Sequence, residues 1–274
     1  MASLLLLTGI LAATAAAQNA TASSACVTGS AVHMIIARAS TEQPGPGIIG
    51  AVATQVVQKL PGSDMIAVDY PATLTDYANS EASGVAAMTT LLTDYASRCP
   101  DSKVVMMGYS QGAQVAADVL CGTNDGTLFK STAAVNSSVL DKVTAVVLMG
   151  DPSKAMNESF INGTSTKNGI FPRQSVQDCS AIEERMVSYC NANDTFCDSG
   201  SSIQVHLSYV ENNGTAAMDF IVSQANSNAG GSSGSNGNGN PTVSGSKSTS
   251  SASTIRGFGN AATALVMLGL GLLL

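Results

Sequence analysis

Val104-Val105-Met106-Met107-Gly108-Tyr109-Ser110-Gln111-Gly112 is the stretch that decides how this chain of 274 residues is read. Four apolar residues of strand character run straight into Gly-x-Ser-x-Gly. Ala113, Val115, Ala116, Val119 and Leu120 then follow at the spacing of an amphipathic helix. A strand that turns into a helix at such a pentapeptide forces its central serine into a strained turn with the hydroxyl exposed, a nucleophile elbow. The pentapeptide alone decides little, because Gly230-Gly231-Ser232-Ser233-Gly234 also matches it. That second match lies in a Ser/Gly/Asn tract with no strand before it and no helix after it, and reads as linker. Ser110 is therefore the candidate nucleophile.

Outward from the elbow, apolar strands and periodic helices alternate. Residues 31–37, 65–68, 104–107, 143–149 and 186–189 read as strands, and 48–60, 80–95 and 216–223 as helices. The expected fold is a small three-layer α/β/α hydrolase with a mostly parallel, roughly five-stranded central sheet. Ligands of such sheets bind beyond the carboxyl ends of the strands. Residues 38–42, Tyr70-Pro71, Ser110-Gln111 and the loop from Cys190 onward all follow strands, which predicts a single cleft.

Both ends read as processing sequence. Residues 1–17 have a short apolar core ending in Ala15-Ala16-Ala17 and read as a cleaved secretory signal, without the usual Lys or Arg near the start. The folded domain is expected over 18–225, followed by a Ser/Gly/Asn-rich linker over 226–254. Residues 255–274 read as the hydrophobic tail of a glycosylphosphatidylinositol (GPI) anchor signal, with Ser250-Ser251-Ala252 as attachment triplet. The expected location is thus outside the cell, either secreted or attached to membrane or cell wall through the anchor. Cys26, Cys99, Cys121, Cys179, Cys190 and Cys197 all fall in the presumed mature domain, an even count that suggests three disulfides in an exported protein. Asn19, Asn136, Asn157, Asn162, Asn193 and Asn213 each begin an Asn-x-Ser/Thr sequon.

A net charge of −7 and the absence of any Lys/Arg cluster argue against a nucleic-acid partner, since phosphate binding rests on concentrated positive charge. A neutral or insoluble substrate is compatible with that charge, and a monomer is expected. No Cys-x-x-Cys and no paired histidines mark a zinc site, so neither metal nor cofactor is expected.

A serine hydroxyl needs a base within hydrogen-bond reach, and histidine is the usual one. Of the chain's two histidines, His33 lies inside an apolar strand and reads as a packed core residue, whereas His206 follows Ile203-Gln204-Val205 in a polar region from which a loop could reach back over the sheet. His206 is the candidate base. A carboxylate must fix its tautomer, and in α/β hydrolases that acid lies between serine and histidine in the chain. Asp118, Asp125, Asp141, Asp151, Asp178, Glu183, Glu184, Asp194 and Asp198 all qualify by order. Asp194 stands out because Cys190 and Cys197 flank it, and a disulfide there would clamp its loop just after a strand.

Gly-Tyr-Ser-Gln-Gly, with Cys99 eleven residues before the serine, Cys190-x-x-x-Asp194-x-x-Cys197 and a histidine nine residues later, resembles the cutinase and acetylxylan esterase family of fungal secreted hydrolases. Ala37-Arg38-Ala39-Ser40-Thr41-Glu42 is similar to that family's Arg-Gly-Ser-Thr-Glu stretch, with Ala39 in place of the glycine. The likeness runs from about Cys26 to Gln224. It implies Ser110 as nucleophile, His206 as base, Asp194 as orienting acid, and an oxyanion hole from the N–H groups of Gln111 and Ser40 with the Ser40 hydroxyl. It also implies the pairs Cys26–Cys99 and Cys190–Cys197, leaving Cys121 for Cys179. Leu120-Cys121-Gly122, Met149-Gly150-Asp151-Pro152 and the third cysteine pair are similar to acetylxylan esterases, while residues 38–42 are more like cutinases. The sequon Asn193-Asp194-Thr195 is a departure, since it would place a glycan beside the acid itself.

Two functions from different classes follow. One is a serine esterase acting through an acyl-enzyme on a polymeric or small ester, cutin or acetylated xylan. The other is a non-catalytic GPI-anchored wall glycoprotein that keeps the fold as a binding module.

Overall fold

A computed structural model of the chain describes residues 25–123 and 127–227. The expected leader, the linker beyond Ser227, the anchor signal, the second Gly-x-Ser-x-Gly, Asn19 and Asp125 lie outside the described residues. In chain order the elements are β1 (Val32–Ala37), α1 (Gly50–Lys59), β2 (Asp64–Ala67), α2 (Tyr77–Arg98), β3 (Lys103–Tyr109), α3 (Gln111–Cys121), α4 (Ser137–Leu140), β4 (Val143–Met149), β5 (Ile161–Asn162), β6 (Met186–Tyr189), α5 (Ile203–His206) and α6 (Tyr209–Ser227).

All strand pairs are parallel, in the order β2-β1-β3-β4-β6-β5. The strands are apolar in nearly every position because both faces of the sheet are covered. Side chains alternate between those faces with period two. Val32, Met34 and Ile36 of β1 join Val105, Met107 and Tyr109 of β3 against α1 and α6. Ile35 and Ala37, with Val104 and Met106, face α2 and α3 instead. Each fully buried Val, Ile, Leu or Met contributes about 1.5–3 kcal/mol by leaving water, so these two layers hold the sheet.

The sheet has one strand more than expected, because β5 is two residues long and pairs only with β6. No periodicity can reveal a strand of that length. Helix α3 also departs from expectation. It is buried along its whole length rather than amphipathic, since a segment carrying Phe129 and Val135 covers its outer face and Val135 N–H donates to the Val119 carbonyl at 3.0 Å. Its buried polar side chains are met under that cover, Gln114 by the Tyr77 hydroxyl and Asp118 by Arg173.

Helix α6 begins seven residues before the predicted 216, and it packs along α1. Three disulfides are present, Cys26–Cys99, Cys121–Cys179 and Cys190–Cys197, as the resemblance implied. His33 is packed as expected, stacked on Tyr95 at 3.7 Å with Nδ1 2.6 Å from Asp64 Oδ1. Among the described residues no helix is long and apolar enough to cross a membrane.

Candidate active site

Ser110 sits between β3 and α3 with φ 55° and ψ −119°. A side-chain-bearing residue in that region costs on the order of 1–3 kcal/mol and persists only where the surroundings enforce it. Two contacts enforce it here. The Ser110 N–H donates to the Met149 carbonyl at 2.8 Å, which ties the turn to the end of β4. Behind it, Gly112 lies so close to β1 that a Cβ would fall 2.1 Å from the Ala37 carbonyl oxygen, so only glycine lets α3 start there.

His206 ends the single turn α5 rather than lying in an open loop, and Ser202 caps that turn by accepting the Val205 N–H. Its imidazole stands over the elbow. The ring meets Tyr109 edge-on at 5.8 Å, the Tyr109 hydroxyl donates to the His206 carbonyl, and a Cβ on Gly150 would lie 2.7 Å from His206 Cε1. Tyr109 precedes Ser110 in the chain, and Gly150 follows the Met149 that holds Ser110 by hydrogen bond. Ser110 itself is half-buried, and among the described residues its hydroxyl makes no hydrogen bond. Such bonds are often long before substrate arrives.

Asp194 lies in the loop closed by Cys190–Cys197 and is fully buried. His206 Nδ1 donates to Asp194 Oδ2 at 2.9 Å, and the Tyr209 hydroxyl donates to the same oxygen at 2.8 Å. Oδ1 accepts the N–H groups of Phe196 and Cys197 at 2.7 and 2.9 Å. Burial opposes the charged carboxylate, but His206 and these N–H donors outweigh it and hold Asp194 below the usual carboxylate range. With Nδ1 bound to a carboxylate, the imidazole presents Nε2 as an acceptor, the form that can take a proton from a hydroxyl.

Among the described residues, the other acids that chain order allowed are engaged elsewhere or stand in other elements. Asp118 pairs with Arg173 at 2.5 Å, and Asp151 accepts the N–H and hydroxyl of Ser153. Asp198 accepts the N–H groups of Thr166, Lys167 and Asn193. Asp141 caps α4, Glu183 accepts the Ser159 hydroxyl, and Asp178 and Glu184 sit in the two short 3-10 turns before β6.

Residues 38–42 form a brace. Arg38 donates to the carbonyls of Glu42 and Tyr70, and the Tyr70 hydroxyl returns a bond to the Arg38 carbonyl. Glu42 accepts the N–H groups of Ala39 and Ile48. Held within this brace, the buried Ser40 Oγ has no hydrogen-bond partner among the described residues. A buried hydroxyl without a partner is costly unless a ligand supplies one. The Gln111 side chain is fixed by Ser80, Thr73 and Tyr77. Its N–H, first in α3, has no intrahelical acceptor.

A family model described as cutinase matches residues 28–225. The chain belongs to the cutinase family. It is 33% identical over 203 residues to acetylxylan esterase 2 of Talaromyces purpureogenus, covering 71% of this chain and 86% of that protein. It is 32% identical over 205 residues to cutinase 11 of Verticillium dahliae, covering 72% of this chain and 69% of that one. The solved catalytic core domain of acetyl xylan esterase from Trichoderma reesei matches with a TM-score of 0.67 at 33% identity, over 71% of this chain and 98% of that domain. Like these cutinase-family relatives, the chain is a carboxylesterase.

Sequence reasoning missed Tyr209, Tyr109, Phe196 and Gly150, which surround the imidazole. Only Gly150 carried a signal, as a glycine directly after a strand. It has φ 65°, and a Cβ there would press on both His206 and Tyr209. Gly150→Ala is expected to lower kcat about a hundredfold by shifting the ring, with a lower Tm from the added strain. Kinetics and thermal melts of the purified variant check both. An unchanged kcat would mean that the imidazole position does not depend on this contact.

Proposed function

We propose that this cutinase-family chain is a secreted or cell-surface serine esterase that works through an acyl-enzyme. Ser110 is the nucleophile, His206 the base and Asp194 the acid that fixes the imidazole. The observation that carries these roles is the buried His206–Asp194 pair packed on Tyr109 and Gly150, directly beside the strained serine. His206 takes the Ser110 proton as the hydroxyl attacks the ester carbonyl. The developing oxyanion is received by the Gln111 and Ser40 N–H groups and the unpartnered Ser40 hydroxyl. The alcohol leaves with the proton from His206, and water activated by the same imidazole releases the acid.

The mature enzyme spans 18–225 between a cleaved leader and the linker to a GPI anchor. Its sequons make it a glycoprotein. The Asn193 side chain is exposed, and its Oδ1 accepts the Ser201 N–H at 3.0 Å, so a sugar on Nδ2 would stand at the acid's loop without entering it.

The substrate is an ester of a plant polymer, cutin or acetylated xylan. Ile48, Leu74, Ile203 and Leu207 are exposed at the ends of segments that hold Ser40, Gln111 and His206. That apolar rim supports a water-insoluble polyester, while the acetylxylan esterase relatives support short acyl groups on xylan. Labelling with a fluorophosphonate tests the mechanism, because the reagent requires an activated serine. Modification of Ser110 alone is expected, and an unmodified Ser110 would remove the assignment. Hydrolysis of acetylated xylan, short nitrophenyl esters and a cutin-like polyester, compared on that protein, separates the substrates. Release of acetate alone selects xylan.

A further inference from the structure

We infer that Tyr209 is a positioning residue for this reaction, holding the Asp194 oxygen that receives His206 and moderating that carboxylate's pull on the imidazole. The assignment rests on the proposed roles of Ser110, His206 and Asp194.

Three groups converge on one hydroxyl. It donates to Asp194 Oδ2 at 2.8 Å, accepts the Asn191 N–H at 2.9 Å, and stands 3.3 Å from Cys197 Sγ of the disulfide that closes the acid's loop. Tyr209 is 0% exposed, so water cannot substitute for these partners. It is also the first residue of α6, so the acid's loop is tied through a rigid phenol ring to a helix packed on the sheet. The ring is wedged beside Gly150 and Tyr109, the residues that seat His206.

The chemical consequence comes from sharing. Oδ2 receives both the Tyr209 hydroxyl and His206 Nδ1. Each donor to a carboxylate oxygen disperses its negative charge and weakens its hold on the other donor. Burial, with the Asp194 charge adding to it against the Asn191 N–H, pushes the phenol well above its ordinary range, so the hydroxyl stays protonated and always donates. Tyr209 thus fixes the carboxylate in place and weakens its hold on the imidazole. The titratable groups around His206 are Asp194 on the disulfide loop, Tyr109 from β3 and Tyr209 from α6. Lys154 and Glu42 act on Asp194 and Tyr109 from further away.

Tyr209→Phe keeps the ring and removes only the hydroxyl. For a small nitrophenyl ester, kcat is expected to fall about tenfold with KM within about twofold. The acid limb of kcat/KM should move up by about half a pH unit, because an Oδ2 with one donor fewer favours the imidazolium. The chain has two histidines, so NMR can follow the His206 titration directly, and its midpoint should move up with the limb. Uniform 3-fluorotyrosine, whose phenol is a stronger donor, should move both downward.

A lower Tm with the limb and the His206 titration unmoved would reduce Tyr209 to a structural residue and overturn the inference. So would a shift of opposite sign. A protein whose Ser110 resists the fluorophosphonate while its His206 titration still responds to Tyr209→Phe would instead locate the failure in the serine assignment.

Discussion

Ser110→Ala is expected to lower kcat/KM for a nitrophenyl ester by about 10⁵- to 10⁶-fold while Tm stays within about 2 °C of the parent. The two halves of that expectation have separate causes. The rate loss is large because the proposed acyl-enzyme cannot form. The Asp194–His206 pair then has no hydroxyl to act on, and only binding and the oxyanion donors remain. The fold is spared because the Ser110 hydroxyl makes no hydrogen bond to the described residues, so its removal orphans nothing. Alanine keeps the Cβ, and the strain at φ 55° is nearly the same. Steady-state kinetics, circular dichroism and a thermal melt on one preparation decide it. Activity within tenfold of the parent in a folded variant would exclude Ser110 as the nucleophile.

What could be read before the structure follows from how each element is stabilised. β1, β3 and β4 are buried on both faces, so their apolar runs are unambiguous, and the elbow is legible because a strained serine needs a strand before it and a helix after it. β5 could not be read, because two residues take their pairing from β6 and not from any pattern of their own. The start of α6 was hidden for a similar reason. Its first turns carry Glu211, Asn212, Asn213 and Gly214, and the Tyr209 hydroxyl and α1 hold them in place. In the site, Asp194 and His206 were found from a cysteine frame and from a choice between two histidines. Tyr209 and the brace around Ser40 act through hydroxyls, carbonyls and buried charges that meet only in space, and no spacing in the chain encodes those meetings.

Asp194→Asn carries the second-largest expected effect, a fall in kcat of about 10⁴-fold with KM nearly unchanged. The carboxylate is met by donors on every side, the Phe196 and Cys197 N–H groups on Oδ1, the Tyr209 hydroxyl on Oδ2, and His206 Nδ1 nearer to Oδ2 at 2.9 Å than to Oδ1 at 3.2 Å. A carboxamide has one accepting oxygen and one donating nitrogen, so it cannot satisfy all four. Turning the nitrogen toward the two backbone groups would leave two buried N–H donors unmatched, at about 1–3 kcal/mol each. The oxygen therefore stays on Oδ1's side, and the amide nitrogen faces His206. That imidazole can meet a donor only by giving up the proton on Nδ1 and carrying it on Nε2, where it can no longer take one from Ser110. The tautomer is wrong, and the negative charge that would stabilise the imidazolium is gone. Fluorophosphonate labelling of Ser110 should slow by a similar factor, because it requires the same activated hydroxyl. A kcat within tenfold of the parent would remove Asp194 from the catalytic group. Asp118, Asp151 and Asp198 could not readily replace it, since each is already bound to Arg173, Ser153 or the backbone of the loop from Thr166.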